Sequence, residues 1–396
     1  MTTIYYISSL RLPTERAYGI NMTKTCEALA SAGAEVILIA PRFRERYKQD
    51  LFDYYGVKRS FVTRFYPFPD IVNLFFRSKR ISSSPRLLRL AFLFDQFIFT
   101  LVVLVVFCFR SYRHQVIYTR STLMLAWGLK IIGYQVYFDL HGFPFRRQRL
   151  WRQILPRLDG VTVTNQWKAE RCEHGFGIDR KKILVAPNGF DVEAFNRTIN
   201  RTEVRARLAP NQQRPIALYT GHFYDWKGAH IFAEAAKFLP EVNCVFIGGT
   251  EADQKKFRDL YRSLANVIIF GRRPHYEIAD YLRSVDVLVH PNPGRSQEKR
   301  LSHFATYDTS PIKLFEYLAS GVPIVATDLP SAREVLNEQN VFLVKPNDAQ
   351  TLAAGIKRAL SEPDLARQLA RRAREEVARY SWSERGKSIL AFIDKK

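Results

Sequence analysis

Cysteine is scarce in this sequence. Cys26, Cys108, Cys172 and Cys244 are the only four in 396 residues, far apart, with no Cys-x-x-Cys and no histidine pair at metal-ligand spacing. That excludes a disulfide framework and a zinc module, and leaves reduced thiols in a cytoplasmic protein as the expectation. Met1-Thr-Thr runs straight into the strand-like Ile4-Tyr-Tyr-Ile, so no secretory signal is read. Several catalytic signatures are missing too. No G-x-G-x-x-G follows the first strand, where the turn 8-SSLRLPTERAYGINM-22 holds the single Gly19 ahead of a helix, and this disfavours a nicotinamide or flavin enzyme. The phosphate loop G-x-x-x-x-G-K-[ST], the nucleophile elbow G-x-S-x-G and the paired histidines of a zinc protease are also absent.

Acidic residues are in short supply. Lys and Arg number 60 against 38 Asp and Glu, a formal charge of +22. The excess is uneven, with 30 bases against 15 acids in residues 1–200. The clusters 42-RFRERYK-48, 77-RSKRISSSPRLLR-89 and 146-RRQRLWR-152 mix bases with aromatic and aliphatic side chains, as surfaces that attract nucleic acid or anionic lipid do. No recognised RNA or DNA module accompanies them, so nucleic acid is not the expected partner, and a non-catalytic basic nucleic-acid-binding protein is kept as the rival from another class. One apolar run, 90-LAFLFDQFIFTLVVLVVFCF-109, is long enough to span a bilayer. Asp95 and Gln96 lie inside it, and spanning would separate strands that belong in one sheet. It is therefore read as a buried crossover helix, with a spanning or interfacial segment as the alternative.

Short β-branched or aromatic runs alternate with amphipathic stretches, the pattern of parallel sheets with helical crossovers. The first half predicts strands at 3–8, 35–40, 115–120, 135–140, 161–164 and 183–186, with helices at 21–32, 87–109, 122–132, 146–155 and 166–174. After a polar, helix-poor passage around 196–214 the series restarts, with strands at 216–221, 243–248, 267–270, 286–290, 323–327 and 341–344. The expected organisation is α/β, with two Rossmann-like domains at 1–195 and 196–381 and a last helix, 382–396, returning to the first.

In such sheets ligands sit beyond the carboxyl ends of the strands. That rule selects Gly19, His141 in 137-YFDLHGFPF-145, the loop 219-YTGHFYDWKG-228, and 308-DTSPIKLFEYLASGVPIVATD-328. In the last of these, Ser310 reads as an N-cap, Pro311 as the first helical residue and Gly321 as the stop. A helix start presents unpaired amides and the positive end of the peptide dipole, so the N–H groups of Ser310, Ile312 and Lys313 are candidate pyrophosphate donors. Glu316, farther along, is placed to accept hydrogen bonds from a ribose diol. Asp308, just before the cap, is placed to meet hydroxyls of a group carried on the pyrophosphate. Together they describe a cradle for a nucleotide sugar, and the competing reading is a solvated Glu316 and a turn acid at 308.

The stretch 309-TSPIKLFEYLASGVPIVATDLPSAREVL-336 resembles the signature of the group 1 (family four) retaining glycosyltransferases of the GT-B fold. That family has two acids eight positions apart, normally both Glu; here they are Asp308 and Glu316. It also has a Gly-Arg-x-x-x-x-Lys-Gly loop for the diphosphate, matched by 221-GHFYDWKG-228, which starts at Gly221, keeps Lys227 and has His222 in place of arginine. Further matches are 185-VAPNGFDVEAF-195 and 286-DVLVHPN-292, with a looser likeness in 18-YGINMTKTCEALASAGAEVILIAP-41, 116-VIYTRS-121 and 138-FDLHGFP-144. The resemblance implies two domains facing each other across a cleft and sugar transfer with retention of configuration. Lys227, and His222 if protonated, would meet the diphosphate. His141 would approach the donor sugar, and Gly19 would mark a close approach of the first-domain loop. His141, Lys227 and Asp308 are the catalytic candidates. No metal and no cofactor are expected, the nucleotide sugar being a co-substrate, and no Asp-x-Asp pair is present to bridge a divalent ion and pyrophosphate. The basic first half suggests a lipid-linked or glycan acceptor at an anionic membrane surface, on the cytoplasmic side, in bacterial polysaccharide or glycolipid assembly. A sugar-nucleotide epimerase or hydrolase on the same fold is the alternative among enzymes.

Overall fold

Two all-parallel sheets form, because the apolar strand runs are connected by stretches long enough for crossovers and too long for hairpins. A computed structural model describes residues 1–43, 49–72, 85–109, 115–209, 213–295 and 303–395. Most of the basic cluster 42–48 and residues 77–84 of the second cluster lie outside the described residues.

The first sheet contains β1 (Thr3–Ile7), β2 (Glu35–Pro41), β3 (Val62–Tyr66), β4 (Val116–Thr119), β5 (Gln135–Leu140), β6 (Gly160–Val163) and β7 (Ile183–Val185), in the order β3-β2-β1-β4-β5-β6-β7. The second contains β8 (Ile216–Thr220), β9 (Asn243–Ile247), β10 (Val267–Gly271), β11 (Val287–His290), β12 (Ile324–Thr327) and β13 (Phe342–Val344), ordered β10-β9-β8-β11-β12-β13. In each the chain direction across the sheet reverses once, beside β1 and beside β8. This switch point is where a crevice opens at the strand ends.

β3 is the strand missing from the sequence reading. It is an edge strand with half-exposed residues, so it lacks the continuous apolar run that marks its neighbours. The passage expected to be helix-poor is also corrected: Arg201–Leu208 is a helix, capped by the Asn200 side chain, which accepts from Glu203 N–H at 3.3 Å. Its polarity disguised it, since only Leu208 is buried and Arg205 reaches Asp286 at 2.9 Å.

The chain divides into a first unit, Met1–Ala186 with Ser383–Lys396, and a second, Pro187–Trp382. The boundary thus falls before residue 187 rather than after 195. Phe190 bridges Ser381 and accepts from Trp382 N–H at 3.1 Å, and Phe190 and Phe195 pack into a core of the second unit. Packing therefore assigns to the second unit a segment that the sequence joined to the first. The helix Trp382–Asp394 carries the chain back, and its Ile389 and Ile393 are buried in the core behind β1.

Helix Pro85–Cys108 crosses over one face of the first sheet. Phe99, Val103 and Phe107 are buried against β1, β2 and β4, and Asp95 accepts the amides of Ile71 and Val72 at 3.2 and 3.1 Å. The expectation of a buried helix holds for this face alone. Leu90, Leu93, Phe94, Phe97, Leu101 and Val105 are exposed along the other.

Candidate functional site

β8 ends at Thr220, where Gly221 adopts φ +135° and the chain turns into the loop reaching Gly228 at φ +77°. Only glycine suits position 228: a Cβ there would lie 1.8 Å from the Pro291 carbonyl oxygen. That close approach seats the Lys227 loop against the residues following β11. Lys227 Nζ rests 4.2 Å above the Trp226 ring, and burial lowers its pKa to about 8. His222 stacks on Tyr224 at 4.9 Å with ring planes 9° apart, and its carbonyl accepts from Tyr219 hydroxyl at 2.7 Å.

The helix opposite differs at its start from the sequence reading. It runs Ile312–Ala319, with Pro311 in extended conformation at the cap position. Ser310 is therefore not the N-cap. Its hydroxyl accepts from Asn188 N–H at 3.4 Å and its carbonyl from the Asn188 side-chain amide, which anchors the approach to the helix. Leu314 N–H returns to Pro311 carbonyl at 3.0 Å, so the amides at the open start are those of Ile312 and Lys313. Tyr317 ties this helix to β8, its hydroxyl accepting from Thr220 N–H at 2.8 Å. Gly321, at φ +72°, follows the last turn as expected.

Glu316 is buried, and its Oε1 lies 2.7 Å from His275 Nε2. An ionised carboxylate only accepts, so the histidine nitrogen donates. Asp308 is 1% exposed at the end of the π-helical turn Phe304–Asp308. Lys313 adds its side chain as well as its amide: Nζ lies 4.3 Å above the Tyr219 ring, out of contact with solvent. His290, at the carboxyl end of β11, is 1% exposed. Burial, and then the charges of Lys313 and Lys227, hold its pKa well below the usual histidine range. The second unit thus brings together Gly221, His222, Lys227, Ser310, Ile312, Lys313 and Glu316 around the switch point beside β8. The sequence reading gave no role to His275 or His290. Both follow the strand-end rule, since His275 comes just after β10 and His290 closes β11.

His141 and Gly19 belong to the first unit. His141 Nε2 lies 2.9 Å from Asp139 Oδ2, and Tyr6 hydroxyl donates to the same oxygen at 3.0 Å. Thr162 and Arg385 serve Oδ1 at 3.0 and 3.4 Å. Burial alone would raise the Asp139 pKa, but His141 and the guanidiniums of Arg385 and Arg120 outweigh it and keep the carboxylate ionised. Burial and the Arg120 charge bring His141 down to about 4, against the pull of Asp139. A neutral ring that donates from Nε2 to Asp139 has its Nδ1 as an acceptor. Gly19 lies inside helix Ala17–Ser31, not in a loop ahead of it. A Cβ there would meet the Tyr55 hydroxyl at 2.0 Å, so this glycine makes room for a tyrosine of the same unit.

Residues 200–376 match the family described as Glycosyl transferases group 1, and residues 22–194 match Glycosyltransferase Family 4. This chain belongs to the group 1 glycosyltransferases. D-inositol 3-phosphate glycosyltransferase of Xylanimonas cellulosilytica is 26% identical over 252 residues, which cover 60% of this chain and 57% of that one. Phosphatidyl-myo-inositol mannosyltransferase of Mycobacterium tuberculosis is 26% identical over 248 residues, 60% of this chain and 59% of that one. The matched part of this glycosyltransferase therefore spans less than two thirds of those relatives' length. HepE from Anabaena, in its complex with UDP, superposes with a TM-score of 0.72 at 17% identity over all of both chains. At that identity the likeness establishes the fold, which is GT-B.

Proposed function

We propose that this glycosyltransferase moves a hexose from a nucleoside diphosphate sugar to a lipid-linked or glycan acceptor at the cytoplasmic face of a bacterial membrane, with retention of configuration. One observation supports the donor reading above the others: a helix start, Lys227 and Lys313 gather at the switch point, with Glu316 on the same helix. In this reading the amides of Ile312 and Lys313 and the Lys227 ammonium receive the diphosphate, and Glu316 accepts from the ribose hydroxyls. In the reaction the bond from the anomeric carbon to the diphosphate oxygen breaks. A bond from the same carbon to an acceptor oxygen forms, and the acceptor's hydroxyl proton passes to the departing diphosphate. Positive charge held in place where negative charge grows is what accelerates such a departure. Asp308 is assigned to the sugar, and no step calls for a metal or a resident cofactor.

The relatives named for inositol phosphate and phosphatidyl-myo-inositol favour an acceptor with an anionic or lipid part. The exposed side of helix Pro85–Cys108 supports contact with the bilayer itself. Its outward positions from Leu90 to Val105 are all apolar, with exposed Arg86 and Arg89 before them. A protein partner's surface would ordinarily ask for polar groups at the rim of such a stripe, whereas an anionic bilayer offers hydrocarbon and phosphate in the order that the helix meets them.

The test is incubation of purified protein with UDP, GDP and ADP sugars with and without membrane lipid extract. Acceptor-dependent release of nucleoside diphosphate supports transfer, and release without acceptor supports a hydrolase instead. Flotation with phosphatidylglycerol vesicles tests the membrane: the wild type should bind, and Phe94→Ser with Phe97→Ser should bind weakly. A wild type that stays with the soluble fraction removes the bilayer from the reading.

A further inference from the structure

Among the described residues, the Lys313 side chain is buried without a counter-charge. Its Nζ has no hydrogen-bond partner among the described residues, and neither has His290 Nδ1. A lysine that serves only packing extends its stem along apolar surface and returns the ammonium to water. Lys313 does the reverse: it leaves the helix start and places its nitrogen inside, above the Tyr219 ring. Contact with an aromatic face offsets only part of the cost of removing an ammonium from water, and a second cation, Lys227, lies within electrostatic range and adds to it. Such an arrangement is unfavourable in the empty protein and becomes favourable once a dianion enters.

We propose that the Lys313 ammonium binds the donor's diphosphate directly, supplying a second positive charge beside that of Lys227. This rests on the donor reading above. Three elements then converge on the anion: the helix start with Lys313, the loop after β8 with Lys227, and the end of β11, where His290 Nδ1–H donates as a neutral ring. His222 is left to stack on Tyr224.

A consequence distinguishes this from a merely structural lysine. Among the described residues, the titratable groups around Lys313 are Tyr219 on β8, Lys227 in the loop and His290 on β11. None of them carries negative charge near neutral pH, and burial followed by the Lys227 charge holds the Lys313 pKa well below its ordinary value. An arriving diphosphate reverses that balance, so binding should draw protons from solution.

The experiment is calorimetry of the full chain with inorganic pyrophosphate, UDP, GDP and uridine, each in two buffers of different ionisation heat. The wild type should bind the diphosphates with net proton uptake. Lys313→Met should lose about tenfold or more in affinity for pyrophosphate and for the preferred nucleotide, the worth of a charge-assisted contact, and most of the uptake. Lys313→Arg should regain part of both. Without ligand, Lys313→Met should melt no lower than the wild type, because an apolar side chain of similar length replaces a buried amine that has no hydrogen-bond partner among the described residues. Equal pyrophosphate affinity in wild type and Lys313→Met, or proton uptake that the substitution leaves unchanged, overturns the inference while the donor reading stands. A wild type that binds no diphosphate overturns both.

Discussion

Glu316 does not stand alone on its helix: His275, from the turn after β10, donates to its Oε1 at 2.7 Å. The bond leaves Oε2 for another donor and fixes the carboxylate's direction, which a free glutamate would choose among several rotamers. His275→Ala should therefore raise the KM for the nucleotide sugar about tenfold, about 1.4 kcal/mol, with kcat changed less, since the histidine acts through Glu316. His275→Gln, which can still donate, should recover part of the loss. Steady-state kinetics with varied donor decides it, and an unaltered KM in His275→Ala removes the positioning role.

Lys227 sets a pH limit on donor binding. The ammonium is the form that attracts a diphosphate, and burial brings its pKa to about 8 in the empty protein. Above that value a proton must be taken up before the ligand is held, so donor affinity should fall by up to about tenfold per pH unit as pH rises past 8. Lys227→Arg should move this fall to higher pH, because a guanidinium keeps its proton. Donor titrations across the alkaline range provide the check.

Gly228→Ala should be costly. The added methyl would overlap the Pro291 carbonyl at a backbone angle of φ +77° that L side chains rarely adopt. A loss of roughly 2–4 kcal/mol in stability is expected, together with loss of donor binding as the Lys227 loop is displaced. Denaturant midpoints alongside donor calorimetry measure both, and an unchanged midpoint would contradict the packing described.

Arg385 holds the base of the His141 site. Its guanidinium reaches Asp139, the Ala186 carbonyl and the Thr25 hydroxyl, all away from solvent. Arg385→Met leaves a buried carboxylate without its guanidinium partner from the last helix and should cost about 3–5 kcal/mol. Adding Asp139→Asn should return part of that. Urea denaturation of the two single variants and the double variant closes the cycle.

His141 makes the fold sensitive to mild acid. Its pKa is lowered from an ordinary 6.5 to about 4 by burial and by Arg120. Between those values the unfolded chain binds a proton that the folded chain refuses, so stability falls as the pH is lowered from 6.5 toward 4. His141→Gln cannot titrate and should show a shallower slope over that interval. Equal slopes would place the ring's titration elsewhere.

The helix Ile312–Ala319 shows how far composition and spacing carry. Its apolar periodicity, the glycine after it and the strand that follows were legible in 308-DTSPIKLFEYLASGVPIVATD-328, because each depends on neighbours in sequence. Its first turn was not. Ser310 is a good cap by type, but Asn188, distant in sequence, engages it, and Pro311 takes the cap position instead. Gly19 shows the same limit: sequence marks a small residue, and only packing shows that Tyr55 fills the space beside it.

By itself the sequence determined the two parallel sheets, the donor-side loops and most of the candidate residues, since alternation and strand-end position are local properties of the chain. The tertiary structure decided which side chains pair. The His275 contact with Glu316, the Lys313 nitrogen over the Tyr219 ring and the Arg385 contact with Asp139 all join segments from separate elements. The physical reason is that burial and charge balance are properties of a place in space, and a residue's neighbours in sequence do not set them.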